Sequence, residues 1–201
     1  MADRPAAARR PVDLAAVAWP RRTERLVLRR AVPGDAAALW EVRRHPSAHE
    51  WLTAGVPDRA SYAAELARHE RLEHLLVLEL DGVVVGDLML RITDAWAQAE
   101  VGEQALAVQA ELGWVLHPDH AGRGLATEAA AELLRICFED LGLRRVTAEC
   151  FADNTASWRI MERLGMRRET HAVADALHRS GRWLDSYGYA VLAEEWHAAR
   201  R

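Results

Sequence analysis

Two periodicities organise the hydrophobic positions of this chain, one of about two residues and one of about 3.6, and they mark out its elements. Leu26 and Leu28 set against Arg29 predict a first strand over residues 25–30. Pro33-Gly34-Asp35 reads as a turn whose Asp35 is placed to cap a helix running to about Arg44. A second amphipathic helix is predicted from Asp58 to about Leu72. Apolar runs at 74–80 and 83–91 flank Asp81-Gly82, a dipeptide that accepts positive backbone angles, and together they predict a hairpin. Residues 93–109 mix Ala, Glu and Trp96 without alternation and read either as a substrate-side loop or as a short helix.

A strand over 111–116 is followed by a helix from Gly122 to about Leu141, because Ala126, Ala130, Leu133, Cys137 and Leu141 return to one face. A strand over 145–151 comes next, and strand, long helix, strand implies a parallel crossover. A short helix over 155–164 has Asn154 to cap its start and Gly165 its end, and strands over 166–174 and 183–192 complete the chain. The expected class is α/β in the mixed sense, with a single domain over residues 23–201. Residues 1–22, rich in Ala, Pro and Arg, read as a flexible or loosely docked tail.

Composition narrows the chemistry. The net charge of -4 gives no general field for phosphate backbones, so nucleic acid is not an expected partner. No lysine occurs anywhere, which removes Schiff-base chemistry and a Walker-type phosphate lysine. Cys137 and Cys150 form no ligand-spaced cluster, so neither a disulfide framework nor a zinc site is expected, and a reducing cytoplasm suits the chain. The apolar run from Leu14 to Trp19 is too short for a signal peptide, and no stretch suggests a membrane partner.

One segment carries a specific signal. Leu116-His117-Pro118-Asp119-His120-Ala121-Gly122-Arg123-Gly124-Leu125-Ala126-Thr127-Glu128-Ala129 passes from a strand end through a glycine-bearing turn into a helix. Gly122 and Gly124 let backbone N–H groups approach a ligand, and the helix start adds partial positive charge. By itself such a turn is either an anion site or a tightly packed loop. It lacks the G-x-G-x-x-G of a dinucleotide fold.

The run Gly-Arg-Gly-Leu-Ala-Thr-Glu-Ala resembles the acetyl-CoA pyrophosphate loop of the GNAT superfamily of N-acetyltransferases, in the version of the RimJ/RimL ribosomal-protein subgroup. Asn154-Thr155-Ala156-Ser157 with Glu162-Arg163-Leu164-Gly165-Met166, and Trp183, Asp185 and Tyr189 before Glu195-Trp196, resemble two further blocks of that subgroup. The resemblance implies a central twisted mixed sheet of about six or seven strands, mostly antiparallel with one parallel crossover pair, flanked by helices. It implies acetyl-CoA as co-substrate, no metal, and an amine acceptor, either a peptide N-terminus or a small molecule. A homodimer is left open.

By that resemblance the main chain of Trp114, Val115 and Leu116 bonds the pantetheine arm, and Gly122, Arg123, Gly124, Leu125, Ala126 and Thr127 cradle the pyrophosphate. Asn154 bonds the pantetheine arm, caps a helix, or does both. Many relatives carry a tyrosine where Met161 stands, to protonate the leaving thiolate, and methionine cannot donate a proton. Ser157, one turn earlier, is the matching hydroxyl, or else only a first-turn helix residue. Family chemistry is direct attack of a neutral amine on the thioester, so the cysteines read as core. Glu111 is the expected base, with Glu100, Glu103 or water as alternatives. His117 and His120 read as loop residues, not metal ligands. Against an enzyme stands a non-catalytic acetyl-CoA sensor, which the absent tyrosine would suit.

Overall fold

Leu75, Leu76, Val77 and Leu78 are all buried, and the reason is their place in the middle of a sheet covered on both faces. Leu76 and Leu78 enter one core, Leu75 and Val77 another. The structure, a computed structural model, describes residues 12–55 and 58–200. Its strands are β1 (Arg21–Arg22), β2 (Leu26–Arg30), β3 (Leu75–Leu80), β4 (Val83–Thr93), β5 (Gln109–Leu116), β6 (Arg145–Phe151), β7 (Arg167–Leu177) and β8 (Trp183–Leu192). They form one sheet in the order β1-β2-β3-β4-β5-β6-β8-β7. Every pairing is antiparallel except β5 with β6. Eight strands replace the expected six or seven because the two-residue β1 carries no readable period.

The helices are α1 (Ala36–Arg43), α2 (Pro46–His49), α3 (Arg59–Leu66), α4 (His69–Glu73), α5 (Leu125–Arg135), α6 (Thr155–Arg163) and α7 (Ala193–Ala198). α5 packs into the larger core, and α1 and α3 build the smaller one on the other face. The Asp81-Gly82 turn has φ of 51° and 79°, as the dipeptide suggested. The helix expected from Gly122 starts only at Leu125, and its last turn widens to a π turn over Ile136–Asp140, with Leu141 N–H bonding Ile136 O at 3.0 Å. The helix expected over 58–72 is two, α3 and α4, and Asp58 caps the first by accepting from the N–H groups of Ala60 and Ser61.

Asp35 precedes α1 without capping it. Its carboxylate accepts from both terminal nitrogens of Arg29, at 2.7 and 2.8 Å, and from the Val32 N–H. Residues 99–105 form a 3-10 helix, the short-helix alternative for that stretch. Part of the region expected as a tail, residues 1–11, lies outside the described residues. Residues 12–22 are docked, with Leu14 and Val17 buried in the larger core. Among the described residues no helix is long and apolar enough to cross a membrane.

Candidate active site

β5 and β6 pair over only three positions, Gln109 with Arg145, Ala110 with Val146 and Glu111 with Thr147. Beyond Glu111 β5 stays on β4 as far as Leu116, while β6 stays on β8 as far as Phe151, so the sheet splits between them. His117 N–H donates to Val85 O at 2.8 Å, and Ala110 O faces β6, where it accepts from the Thr147 hydroxyl. Antiparallel alternation therefore turns the main-chain groups of Val115 to β4 and those of Leu112, Trp114 and Leu116 to the split. Of the three residues expected to bond an extended ligand, Trp114 and Leu116 present open main chain, and Val115 is engaged by its neighbour strand. Gly86 makes that engagement close: a Cβ there would lie 2.3 Å from Val115 O.

The open edge runs into the loop. Gly122 and Gly124 have φ of 73° and 78°, a left-handed conformation that side chains rarely take. The first bond inside α5 is Glu128 N–H to Gly124 O at 3.0 Å, which leaves the amides of Leu125, Ala126 and Thr127 without an acceptor in the helix. These are the residues expected to cradle a pyrophosphate, and they share one helix start with its partial positive charge. Arg123 turns its guanidinium to His120, 3.3 Å away. A loop hydroxyl or lysine is not needed for such a site, since backbone donors supply it.

Alternation divides the side chains of the split strands. Ala110 and Leu112 on β5, and Val146 and Ala148 on β6, are buried with α5. Glu111 and Glu149 point to the opposite face, where Glu111 is half-buried and accepts from Arg91, and Glu149 is exposed. Glu149 was not singled out from the sequence, although the Val146, Ala148, Cys150 alternation places it beside the split. Beyond it Trp51, Phe151 and His178 meet with ring centroids 5.4 to 6.0 Å apart. Arg179, next to His178, fixes this group by donating to Leu52 O at 2.6 Å.

Asn154 does cap α6, accepting from Ser157 N–H at 3.2 Å. Ser157 is half-buried and its hydroxyl lies against the Cys150 thiol. Burial pushes that thiol up to about 11, with Ser157 drawing it the other way. Cys137 is raised by burial further still, and both cysteines are free. Met161 is buried in the larger core, as is Tyr189, whose hydroxyl donates to Glu162 Oε1 at 3.1 Å. Burial and that carboxylate push the Tyr189 phenol up to about 12. His117 and His120 lie in and beside the turn over Pro118–His120, and among the described residues no group of three or more His, Cys, Asp or Glu could hold a metal ion.

The fold and site define a class of protein with a split mixed sheet whose open β5 edge leads to the unbonded amides at a helix start. The acetyltransferase (GNAT) domain model matches residues 25–167, and the chain belongs to that family. YnaD of Bacillus subtilis (strain 168), described as an uncharacterised N-acetyltransferase, is 39% identical over 87 residues, which are 43% of this chain and 51% of that protein. The matched part spans about half the length of the curated relatives. Among solved structures, a GNAT-family acetyltransferase from Bacillus anthracis superposes with a TM-score of 0.72 at 28% identity, covering 87% of this chain and 98% of that one. Mycobacterium smegmatis RimJ, solved in complex with CoA-disulfide, gives 0.65 at 26% identity, covering 88% and 90%.

Proposed function

We propose that this chain transfers the acetyl group of acetyl-CoA to a primary amine by direct attack within a ternary complex. The observation that carries this is the open edge of β5 beyond Glu111, continuous with the free amides of Leu125, Ala126 and Thr127. A pantetheine arm would extend the sheet along Trp114 and Leu116 and deliver its diphosphate to the start of α5. α5 and α6 both pack on one face, so the amine comes from the face that carries Glu111 and Glu149. Its nitrogen attacks the thioester carbon, the C–S bond breaks, and the thiolate takes a proton as it leaves. A split-facing N–H of β5 holds the developing oxyanion, Glu111 takes the amine proton, and Ser157 supplies the thiolate's.

The acceptor is a peptide α-amine, in the cytoplasm. An α-amine titrates near about 7.7 to 8.0 against about 10.4 for lysine, so less help is needed to make it neutral. The resemblance of its motifs to the ribosomal-protein subgroup supports the same class. Thiol release measured across N-terminal peptides, polyamines, aminoglycosides and amino acids should be fastest with free peptide N-termini. Equal rates on an N-terminally blocked, lysine-bearing peptide and its free counterpart would contradict that acceptor. Burial of Met161 favours a second reading, a sensor that binds acetyl-CoA without turnover. Tight binding with no thiol release above background for any amine would select it.

A further inference from the structure

The β1–β2 hairpin is strapped along α5 by charges that match in spacing. Arg21 donates to Glu132 at 2.9 Å, and four residues on Arg25 reaches Glu128, four residues before Glu132, with Nε at 2.7 Å and Nη2 at 2.6 Å. The second grip is also the tighter one. Glu128 Oε1 accepts from the Thr23 hydroxyl at 2.5 Å and from the Arg25 N–H at 2.9 Å. Arg25 Nη1 then passes to the loop itself and donates to Arg123 O at 2.9 Å, while Nη2 sits 3.6 Å from where a Cβ of Gly124 would be. Thr23 is held in turn, its Oγ1 accepting from Leu26 N–H at 3.0 Å.

Glu128 is the only acidic residue in the first turn of α5. An uncompensated carboxylate there would complement the helix start by itself and repel a diphosphate. Burial pushes the Glu128 carboxyl up, but the Thr23 hydroxyl and the Arg25 amide and guanidinium more than offset it, so it lies below its usual range and stays charged. Two other charged side chains lie near the loop: Arg123, which faces His120, and the exposed Asp119, whose carboxylate is 3.7 Å from His117 Nδ1.

We propose that Thr23 and Arg25 are positioning residues of the cofactor loop: Arg25 neutralises Glu128 and holds the Arg123 carbonyl, and Thr23 fixes the Glu128 carboxylate by its hydroxyl, so that the α5 amides stay open to the diphosphate of acetyl-CoA. This rests on the acetyl-CoA reading above. It makes Glu128 an internal counter-ion, and it gives the short β1 strand a reason to exist.

The test is calorimetry of acetyl-CoA binding to the full chain, with thermal melts on each variant. Arg25→Ala should raise Kd about tenfold, the scale of one charge near a helix start, and the defect should shrink as salt rises. Arg25→Ala with Glu128→Gln should recover most of the affinity, because the unpaired charge is gone. Arg21→Ala, whose grip lies one turn further along α5, should lower Tm and leave Kd unchanged. Turnover with S-acetylpantetheine, which has no diphosphate, should be insensitive to Arg25. Should Arg25→Ala fail to fold, Arg25→Gln and Thr23→Val pose the same question, each raising Kd without touching S-acetylpantetheine turnover. An unchanged Kd in these variants, no recovery in the double variant, or an equal loss with S-acetylpantetheine would overturn the proposal. Absence of acetyl-CoA binding by the wild type would overturn the functional reading, and this inference with it.

Discussion

Glu111 is the last residue of β5 to pair with β6, and across the ladder on its other side its carboxylate accepts from the Arg91 guanidinium. The pair stands at the head of the split, on the face left free by α5 and α6. A base there needs to reach an amine, not the core. Glu111→Gln should lower kcat by about 100-fold, within the range for losing general-base assistance, with acetyl-CoA affinity unchanged. Glu149→Gln is the matched control, because its strand presents it to the same face. A larger loss in Glu149→Gln than in Glu111→Gln would transfer the role to β6.

Gly124 has room for a side chain but not the backbone angle for one. Its φ of 78° costs an L residue about 1 kcal/mol or more, while an added Cβ meets only Arg25. Gly124→Ala should therefore weaken acetyl-CoA binding modestly. Gly124→Glu adds a carboxylate at the α5 start, in competition with the diphosphate, and should lower affinity at least about 100-fold in a folded protein. Calorimetry with circular dichroism as the folding check decides it. An unchanged Kd would remove this loop from the cofactor site.

Arg43 and Asp87 form a buried bidentate pair, at 2.6 and 2.8 Å, that ties α1 to β4 opposite Val115. Removing one partner strands a charge without water. Asp87→Ala should cost about 3 to 5 kcal/mol in urea unfolding, and Arg43→Met with Asp87→Leu should recover most of that. A small effect in Asp87→Ala would mean that water reaches the site.

Much of this fold is legible in the hydrophobic pattern. The strands over 145–151 and 183–192 have their expected ends, and the Asp81-Gly82 hairpin and parallel crossover are where local chemistry puts them. What stayed hidden depends on partners distant in the chain. Asp35 looks like a cap until Arg29 takes both its oxygens. β1 is two arginines with no apolar period, and its Arg21 meets Glu132, 111 residues away. The conformation of the glycine loop was readable because positive backbone angles are what glycine advertises. Arg25 was not, since its contact with Glu128 spans 103 residues.

Glu169 makes stability depend on acid. Hydrogen bonds from Arg145 hold its carboxyl at about 2, against the opposing effect of burial and with help from Arg167. A carboxylate depressed on folding contributes stability that is complete above its unfolded pKa of about 4.3 and is lost as pH falls from there toward 2. Urea unfolding of Glu169→Gln should show lower stability than wild type at neutral pH and a smaller drop between pH 5 and pH 3 (about the range set by the two pKa values). Identical slopes in the two proteins would show that Arg145 and Arg167 do not hold it in solution.

Ser157 is the last group to place. Its N–H caps onto Asn154 and its hydroxyl lies against Cys150, so it sits where α6 meets the end of β6. With the thiol pushed up to about 11, Cys150 is protonated at neutral pH and is no nucleophile, and Cys150→Ala should keep most of kcat. CoA thiolate, with a thiol pKa near about 8.5, leaves tolerably well without a donor, so assistance is worth little. Ser157→Ala should lower kcat roughly 10 to 100-fold with acetyl-CoA affinity nearly unchanged, at the weak end of general-acid effects. Met161→Tyr is not expected to rescue it. Met161 is 1% exposed within the larger core, and a phenol there would overpack it at a cost of about 1 to 3 kcal/mol. A Ser157→Ala enzyme with full kcat would leave Ser157 as a helix-start residue and make water the proton source.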